Sequence, residues 1–244
     1  MKLAPSLIKG KFQKRYKRFF TDVINSEDKL LTIHCPNTGS MKNCLVENSS
    51  CWYSLSYNPK RKLAGTLELI TNTFGNLTGI NTNRANKLVK EAIEARAVPE
   101  LCGYKQLRSE VKYGAENSRI DFLLEDPVKG QCYIEVKSAT LETSKGLVIF
   151  PDAVTARGTK HLRELIGMVQ QGHRAVLFFC VQVNGAEKME VADSIDPEYT
   201  KTLAEALAAG VEVIAWRASL SDSEIVLEAA IPCVQDLREP ELSD

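Results

Sequence analysis

Two carboxylates and a lysine lie close together near the middle of this sequence. Asp121 is in an apolar run over residues 120–124, and Glu135 and Lys137 lie at the end of a second run that starts at residue 132. The segment between the runs contains Pro and Gly, which is typical of a tight turn. The runs are therefore predicted to form an antiparallel hairpin. Glu135 and Lys137 would then share a face, because alternate residues of a strand point the same way, and the pairing would bring Asp121 to that face.

Such a cluster suggests metal chemistry. Two neighbouring carboxylates repel each other unless a cation neutralises them, and Mg²⁺ is commonly held by one or two carboxylates together with water and substrate phosphates. A lysine beside the metal can orient water or stabilise charge on a phosphate. Asp121 and Glu135 are therefore predicted metal ligands and, with Lys137, catalytic residues. The pattern resembles the core of the PD-(D/E)xK nucleases, although an ordinary hairpin with surface charges is the alternative.

The composition is that of a globular protein, with 244 residues, 44% hydrophobic and 25% charged. The longest apolar run, residues 175–183, is too short to span a bilayer, so no membrane association is expected. The N-terminus has no secretory signal, and the seven cysteines include no C-x-x-C pair. We expect reduced thiols in a cytoplasmic protein rather than disulfides or zinc. Neither a glycine-rich nucleotide loop nor a Ser-His-Asp arrangement is evident.

Charge is distributed unevenly along the chain. Residues 1–62 carry twelve Lys and Arg against four Asp and Glu, whereas residues 187–244 carry four against fourteen. A positively charged N-terminal part predicts a polyanionic partner, and we expect DNA bound mainly through its phosphate backbone. A further alternative is that the acidic C-terminal region docks a protein partner.

Basic residues alternate with aromatic ones over residues 9–20, where six of twelve positions are Lys or Arg. Basic side chains neutralise phosphates and aromatic rings stack on bases, although an amphipathic strand with a solvated basic face would look similar. A basic triple follows an Asn-Pro turn, and a basic helix edge follows residue 155. The predicted DNA contacts are Lys14, Arg15, Tyr16, Lys17, Arg18, Lys60, Arg61, Lys62, Arg157 and Lys160.

The turn spacing predicts two domains. Short strand-like segments over residues 22–80, separated by Asn, Gly, Ser and Pro, are typical of a small barrel, and we predict an OB-like β-barrel over residues 1–82. Residues 83–244 should form a PD-(D/E)xK nuclease-like mixed sheet flanked by helices, an α/β (α+β) arrangement. Its predicted elements are helix 83–97, strand 106–113, the hairpin, helix 155–171, strand 175–183, helix 198–210 and strand 211–216.

Two helical residues bear on the predicted site. Glu91 flanks the apolar stripe of helix 83–97 and is a candidate third metal ligand, although a solvated helix charge is the alternative. His161 lies between the apolar and basic sides of helix 155–171. We expect His161 to be a polar boundary residue rather than a catalyst.

Several motifs in register resemble the sugar fermentation stimulation protein (SfsA) family. They are RYKRF (15–19), HCPNTGSM (34–41), NPKRK (58–62), NRANKLVKEAIE (83–94), LRSEVKYG (107–114), SRIDF (118–122), CYIEVKSATL (132–141) and FPDAVTARGTKHLREL (150–165). The resemblance implies a bacterial, cytoplasmic DNA-binding protein with little sequence preference and a regulatory role in sugar, notably maltose, metabolism. It also implies an OB-like domain before a PD-(D/E)xK-like domain. The alternative function is a Mg²⁺-dependent nuclease that uses Asp121, Glu135 and Lys137.

Overall fold

The computed structural model describes residues 1–234 and begins with a small barrel. Its strands are β1 (Ile8–Tyr16), β2 (Phe20–Ile24), β3 (Leu30–His34), β4 (Ser50–Leu55), β5 (Gly65–Thr71) and β6 (Leu77–Gly79). Strands β1 to β5 close on themselves through a parallel contact between His34 of β3 and Thr66 of β5. Phe12, Val23 and Leu67 fill the interior. The predicted OB-like barrel is confirmed.

The remainder is a mixed sheet with helices on both faces. Its elements are α1 (Asn83–Glu94), β7 (Gln106–Tyr113), β8 (Ser118–Asp126), β9 (Gly130–Ala139), β10 (Leu141–Ser144), β11 (Leu147–Phe150), α2 (Ala156–Gln170), β12 (Arg174–Val181), β13 (Lys188–Val191), α3 (Pro197–Ala209), β14 (Glu212–Leu220), β15 (Ile225–Ala230) and β16 (Cys233–Val234). The main sheet has the order β15-β14-β12-β9-β8-β7, with β9, β12 and β14 parallel. The predicted hairpin of β8 and β9 is confirmed.

Strand β12 shows why the central apolar run is continuous. Val176, Phe178 and Cys180 pack in the cluster that includes α1, whereas Leu177 and Phe179 pack in the cluster that includes α2 and α3. Both faces of the strand are therefore covered, and no polar residue is needed on either one.

Two features were not predicted. The stretch before Phe150 forms a hairpin, β10–β11, which joins β13 and β16 in a separate four-stranded sheet. The chain start also packs on the far edge of the main sheet, where the Leu3 amide donates to Ser223 O at 2.7 Å. Leu3 and Leu7 consequently belong to the core beneath α1.

Side chains at the helix ends fix where α2 and α3 begin. Thr155 Oγ1 accepts from the Gly158 amide at 3.0 Å at the start of α2, and Asp196 Oδ1 accepts from the Tyr199 amide at 3.1 Å at the start of α3. Gly210, with φ 103°, ends α3 in the left-handed conformation that glycine adopts readily.

Within residues 1–234, no helix combines the length and apolarity needed to cross a bilayer.

Candidate functional site

The site forms where two neighbouring strands separate. Strands β8 and β9 pair from their shared turn up to Phe122 and Ile134, and beyond this point each strand remains paired only with its outer neighbour, β8 with β7 and β9 with β12. The Asp121 carboxylate occupies the gap, and its Oδ2 accepts from the Val136 amide at 2.7 Å. The carboxylate thus takes the place of a backbone carbonyl as the acceptor for this amide, and the hydrogen bond holds it against β9.

Asp121 is held from two sides in a largely buried position. Asn86 of α1 donates from Nδ2 to Asp121 Oδ1 at 2.6 Å, opposite the bond from Val136. Burial, followed by the negative charge of Glu135, raises the pKa of Asp121 to about 6, although both hydrogen bonds and Lys137 act in the other direction. The raised pKa is what two carboxylates produce when they share a dry region.

Glu135 is 3% exposed and is held at one oxygen only. Its Oε1 accepts from Lys137 Nζ at 2.8 Å and also contacts His161 Nδ1. Burial favours the neutral acid, but His161 and Lys137 together outweigh burial and lower the pKa of Glu135. Arg157 Nε lies 3.4 Å from His161 Nε2, and Lys137 Nζ lies 3.3 Å from His161 Nδ1, so the imidazole is in contact with two cationic side chains as well as with Glu135.

The second oxygen of Glu135 fits a cation. Glu135 Oε2 is buried and has no hydrogen-bond partner among the described residues. A buried anionic oxygen without a partner is costly, and a hard divalent cation beside it would remove that cost. With Asp121 next to it, the pair supplies two of the oxygens that Mg²⁺ or Ca²⁺ requires, leaving the other positions to water and phosphate. Within residues 1–234, no three His, Cys, Asp or Glu side chains are arranged as a metal site.

The structure does not bring Glu91 to this carboxylate pair. Glu91 is 56% exposed and pairs at 3.1 Å with the amino group of Met1, which in turn donates to Ile225 O on β15. Strand β15 is four strands away from β8, or about 19 Å at the usual strand spacing. The residue of α1 that does reach the site is Asn86.

The predicted position of His161 at the surface or at a polar boundary was wrong. His161 is 6% exposed and lies inside the site rather than at a polar boundary. Its contacts with Glu135, Lys137 and Arg157 make it the link between α2 and the carboxylate strand.

Three of the predicted DNA contacts of the barrel hold the barrel itself together. Lys14 lies 3.6 Å from Asp22, and Tyr16 Oη donates to the same carboxylate at 3.3 Å. Arg15 donates to Asn37 O at 2.7 Å and to Gly39 O at 3.0 Å. These side chains fix β1 and the loop over residues 36–41, and Arg15 uses three of its five N–H donors within the barrel.

Lys17 and Arg18 are different, because they project from the tip of the β1–β2 hairpin. Both are exposed, and among the described residues neither forms an ion pair. Their φ angles are 48° and 62°, a conformation that costs a non-glycine residue roughly 1–2 kcal/mol. Positive φ at two adjacent residues is typical of tight hairpin turns, so the β1–β2 turn itself accounts for this backbone geometry and presents two exposed cations at its tip.

The remaining predicted contacts lie in two places. Lys60, Arg61 and Lys62 are exposed on the β4–β5 loop, where Arg61 donates to Thr66 Oγ1 at 2.8 Å. Arg157 is exposed on α2 beside His161, and Lys160 is half-buried on the same helix. Of these residues, Arg157 is the one in direct contact with the site.

A cleft of about 750 Å³ separates the barrel from the C-terminal sheet, and we call it the interdomain cleft. Its barrel wall consists of Arg15, Arg18 and the loop residues 37–40, and its other wall is formed by β9, β11 and the start of α2. Ser138 lines the cleft directly after Lys137 in β9. The basic hairpin and the carboxylate strand therefore border the same opening.

The predicted docking of a protein partner concerns the acidic C-terminal region. Residues 235–244 of that region lie outside the described residues.

Comparison with known proteins agrees with this architecture. Residues 83–224 match the family model of the sugar fermentation stimulation protein RE domain, and residues 14–80 match that of the SfsA N-terminal OB domain. Sugar fermentation stimulation protein homologs from Teredinibacter turnerae and Shewanella piezotolerans are 53% and 52% identical to the chain. The first alignment covers 96% of this chain and 100% of the relative, and the second covers 95% and 99%.

A solved structure is also similar, that of Pyrococcus furiosus SfsA in complex with Ca²⁺. It is 27% identical, covers 96% of this chain and 98% of the other, and superposes with a TM-score of 0.84. The chain belongs to the sugar fermentation stimulation protein family.

Proposed function

We propose that this protein binds DNA with little sequence preference and hydrolyses its phosphodiester bonds with a divalent cation, Mg²⁺ in the cell. The observation that carries the proposal is the buried, unpartnered Oε2 of Glu135, placed beside Asp121 and Lys137 in the gap between β8 and β9. The Ca²⁺ in the P. furiosus relative supports the choice of a divalent cation.

The residues of the site divide the work of hydrolysis. Asp121 and Glu135 would hold the cation, which when bound supplies Lewis acidity towards a phosphate oxygen and makes water more acidic. Lys137 is placed to donate to a phosphate oxygen or to orient the attacking water. His161 and Asn86 hold the two carboxylates in place, and Arg157 presents a cation at the mouth of the site.

The experiment is a cleavage assay on plasmid, linear duplex, single-stranded and branched DNA, with Mg²⁺, Mn²⁺ or EDTA. Wild-type protein should cut at least one substrate in the presence of metal, and Asp121→Ala and Lys137→Ala should abolish cutting. DNA affinity measured in EDTA should remain within a few-fold for both variants, because neither residue belongs to the exposed basic surface. Arg163→Ala is a matched control. Arg163 lies on the same helix as His161, and its removal breaks only an exposed ion pair with Glu116.

Loss of cutting in Arg163→Ala, or metal-independent cutting that persists in Asp121→Ala, would contradict the assignment. The first result would mean that any change in α2 inactivates the protein, and the second would point to a contaminating nuclease.

A second candidate function is DNA binding without cleavage, as a regulator of sugar metabolism such as maltose use. Lys17 and Arg18, which are exposed and form no ion pair among the described residues, favour binding on their own, and within residues 1–234 no third carboxylate completes a metal site with Asp121 and Glu135. The sugar link rests on the names of the relatives. Salt-sensitive DNA binding with no product under any metal condition would establish this candidate over the nuclease.

A further inference from the structure

We propose that the interdomain cleft binds an unpaired nucleotide of a DNA strand, so that single-stranded or frayed DNA is the preferred substrate over intact duplex. This inference rests on the proposed DNA-binding function and adds the substrate class to it. Four observations support it: the size of the cleft, its cationic end, its apolar floor and its distance from the carboxylates.

The size of the cleft suits a strand and excludes a duplex. A volume of about 750 Å³ falls within the range of ~300–1,000 Å³ that is typical of small-ligand sites. A sphere of that volume is roughly 11 Å across, which is narrower than the major groove of DNA alone, ~12 Å. A double helix can therefore lie across the opening but cannot enter it.

One end of the cleft is suited to a phosphate. Arg18 lines this end with an exposed guanidinium, and Arg15 is fixed nearby by the carbonyls of Asn37 and Gly39. Thr155, the cap at the N-terminus of the 15-residue helix α2, lines the cleft as well. The N-terminus of α2 contributes a partial positive charge to the opposite wall of the cleft.

The floor of the cleft is suited to a base. Phe150 is half-buried, and its ring is packed against Phe179 at 5.3 Å and Tyr199 at 5.5 Å between centroids. A ring fixed in this way offers a rigid surface for stacking, which contributes roughly 1–3 kcal/mol per base. Val154, 76% exposed, stands at the rim.

Hydroxyl groups and one carboxylate complete the lining. Ser138, Thr140 and Thr82 supply hydroxyls for a sugar or a base edge. Asp152 accepts from the Ser40 amide at 2.7 Å and so joins the two walls. The Asp152 carboxylate also lies against Gly39, whose carbonyl accepts from Arg15. Because this carboxylate repels phosphate, we expect the phosphate at Arg18 rather than at Arg15, and the base nearer Phe150.

The cleft is close enough to the carboxylates to position a strand for cleavage. Ser138 is three residues after Glu135 in β9, roughly 10 Å along the strand, and its side chain leaves the opposite face of the sheet. Thr155, at the start of α2, also lines the cleft and lies two residues before Arg157, which contacts His161. A nucleotide held in the cleft would therefore lie within a few nucleotides of the phosphate at the carboxylate pair.

Fluorescence anisotropy in EDTA tests the proposal without cleavage. The probes are a labelled 12-nucleotide single strand, the blunt duplex of the same sequence, and that duplex with an unpaired overhang. Wild-type protein should bind the single strand and the overhang at least tenfold more tightly than the blunt duplex. Two pairs of variants then locate the binding site.

The first pair fills the cleft or leaves it open. Val154→Trp should weaken single-strand binding at least tenfold, whereas Val128→Trp, at a 91% exposed valine on the far turn of the β8–β9 hairpin, should leave it unchanged. The second pair compares exposed cations on two hairpin turns of the barrel. Arg18→Ala should weaken binding at least fivefold, and Lys29→Ala, on the β2–β3 turn outside the cleft lining, at most twofold. Melting temperatures of all four variants establish that they are folded.

Equal affinity for duplex and single strand, or equal effects within both variant pairs, would overturn the cleft assignment even if DNA is bound and cut. Preferential single-strand binding that is lost in Val154→Trp, without cleavage in any metal, would retain the cleft and reject hydrolysis. Absence of DNA binding in dilute buffer would reject both proposals.

Discussion

Two buried glutamates, Glu142 and Glu135, show how differently the same side chain is used in two regions. Glu142, 1% exposed at the junction between the barrel and the C-terminal sheet, has both oxygens occupied. Its Oε2 accepts from Asn72 at 2.6 Å, and its Oε1 accepts from Asn76 and from the Gly146 amide, both at 2.8 Å. Glu135, 3% exposed, has one oxygen occupied and one without a partner.

This difference in hydrogen bonding indicates that Glu142 has a structural role and Glu135 a chemical one. A buried carboxylate whose oxygens all accept hydrogen bonds from its own chain fixes the parts that it joins, here β10 and the β5–β6 turn. A buried carboxylate with an unpartnered oxygen can instead bind a group from outside the chain, such as a cation. Substituting each glutamate in turn should therefore affect different properties, and the predictions below start with the largest effect.

Glu135→Gln should reduce metal-dependent cleavage by at least ~100-fold, because it removes a predicted cation ligand. Its stability should change less than that of Glu142→Gln. The new amide oxygen can still accept from Lys137 and His161, and the amide nitrogen takes the place of the oxygen without a partner. Steady-state cleavage rates and urea unfolding measure the two properties. Undiminished cleavage would remove Glu135 from the proposed mechanism.

Glu142→Gln should lower the free energy of unfolding by about 2–3 kcal/mol. The NH2 group of the glutamine replaces an oxygen that accepted a hydrogen bond, so a donor then faces a donor and both lose their partner. Urea unfolding checks this value. The affinity of the folded protein for metal should be unchanged. If Glu142→Gln instead lost metal affinity and kept full stability, Glu142 would have the role that we assign to Glu135.

In metal-free protein, the contribution of Asp121 to stability should fall as the pH rises from about 4 to above 6. The raised pKa of Asp121, about 6 against an ordinary 3.8, means that the folded state binds the proton more tightly than the unfolded chain does. The stabilisation is complete below the unfolded pKa and is lost as the pH passes the folded one, by at most about 3 kcal/mol. Urea unfolding in EDTA should show this slope in wild type and a flatter one in Asp121→Asn. Identical slopes in the two proteins would mean that the pKa of Asp121 is not raised.

The larger elements could be predicted from the sequence because their patterns are long and their ends are marked. The hairpin, the buried strand β12 and the order of helices and strands followed from apolar periodicity and turn residues. The small sheet of β10, β11, β13 and β16 did not, because its strands are two to four residues long and give no periodic signal. Its existence depends on contacts between distant segments.

The sequence predicted the site residues that lie close together in one hairpin, but not those that other elements bring to the site. Asp121, Glu135 and Lys137 lie in one hairpin, so their spacing was sufficient to bring them together. Asn86 and Glu91 flank the apolar stripe of α1 on opposite sides at about 100° per residue, and the sequence does not state which side meets β8. We predicted Glu91 because a carboxylate can bind a cation. In the structure, the packing of α1 against the sheet brings Asn86 into contact with Asp121, and Glu91 pairs with the amino group of Met1.

His161 was missed for a similar reason. The buried face of α2 extends beyond Leu162 and Leu165 to include Glu164, which accepts from the amides of Ala115 and Glu116. That turn between β7 and β8 covers a side of the helix that its own apolar pattern leaves polar. A polar residue buried by another segment cannot be identified from the periodicity of its own helix.

Calorimetric titration with Ca²⁺ tests the central claim most directly, because Ca²⁺ can report on the carboxylate pair whether or not cleavage occurs. We predict that wild type and Glu142→Gln bind Ca²⁺ with equal affinity and that Glu135→Gln binds it at least ~100-fold more weakly. If Glu135→Gln binds Ca²⁺ as wild type does, the unpartnered oxygen of Glu135 is not a cation ligand and the proposed nuclease site is wrong.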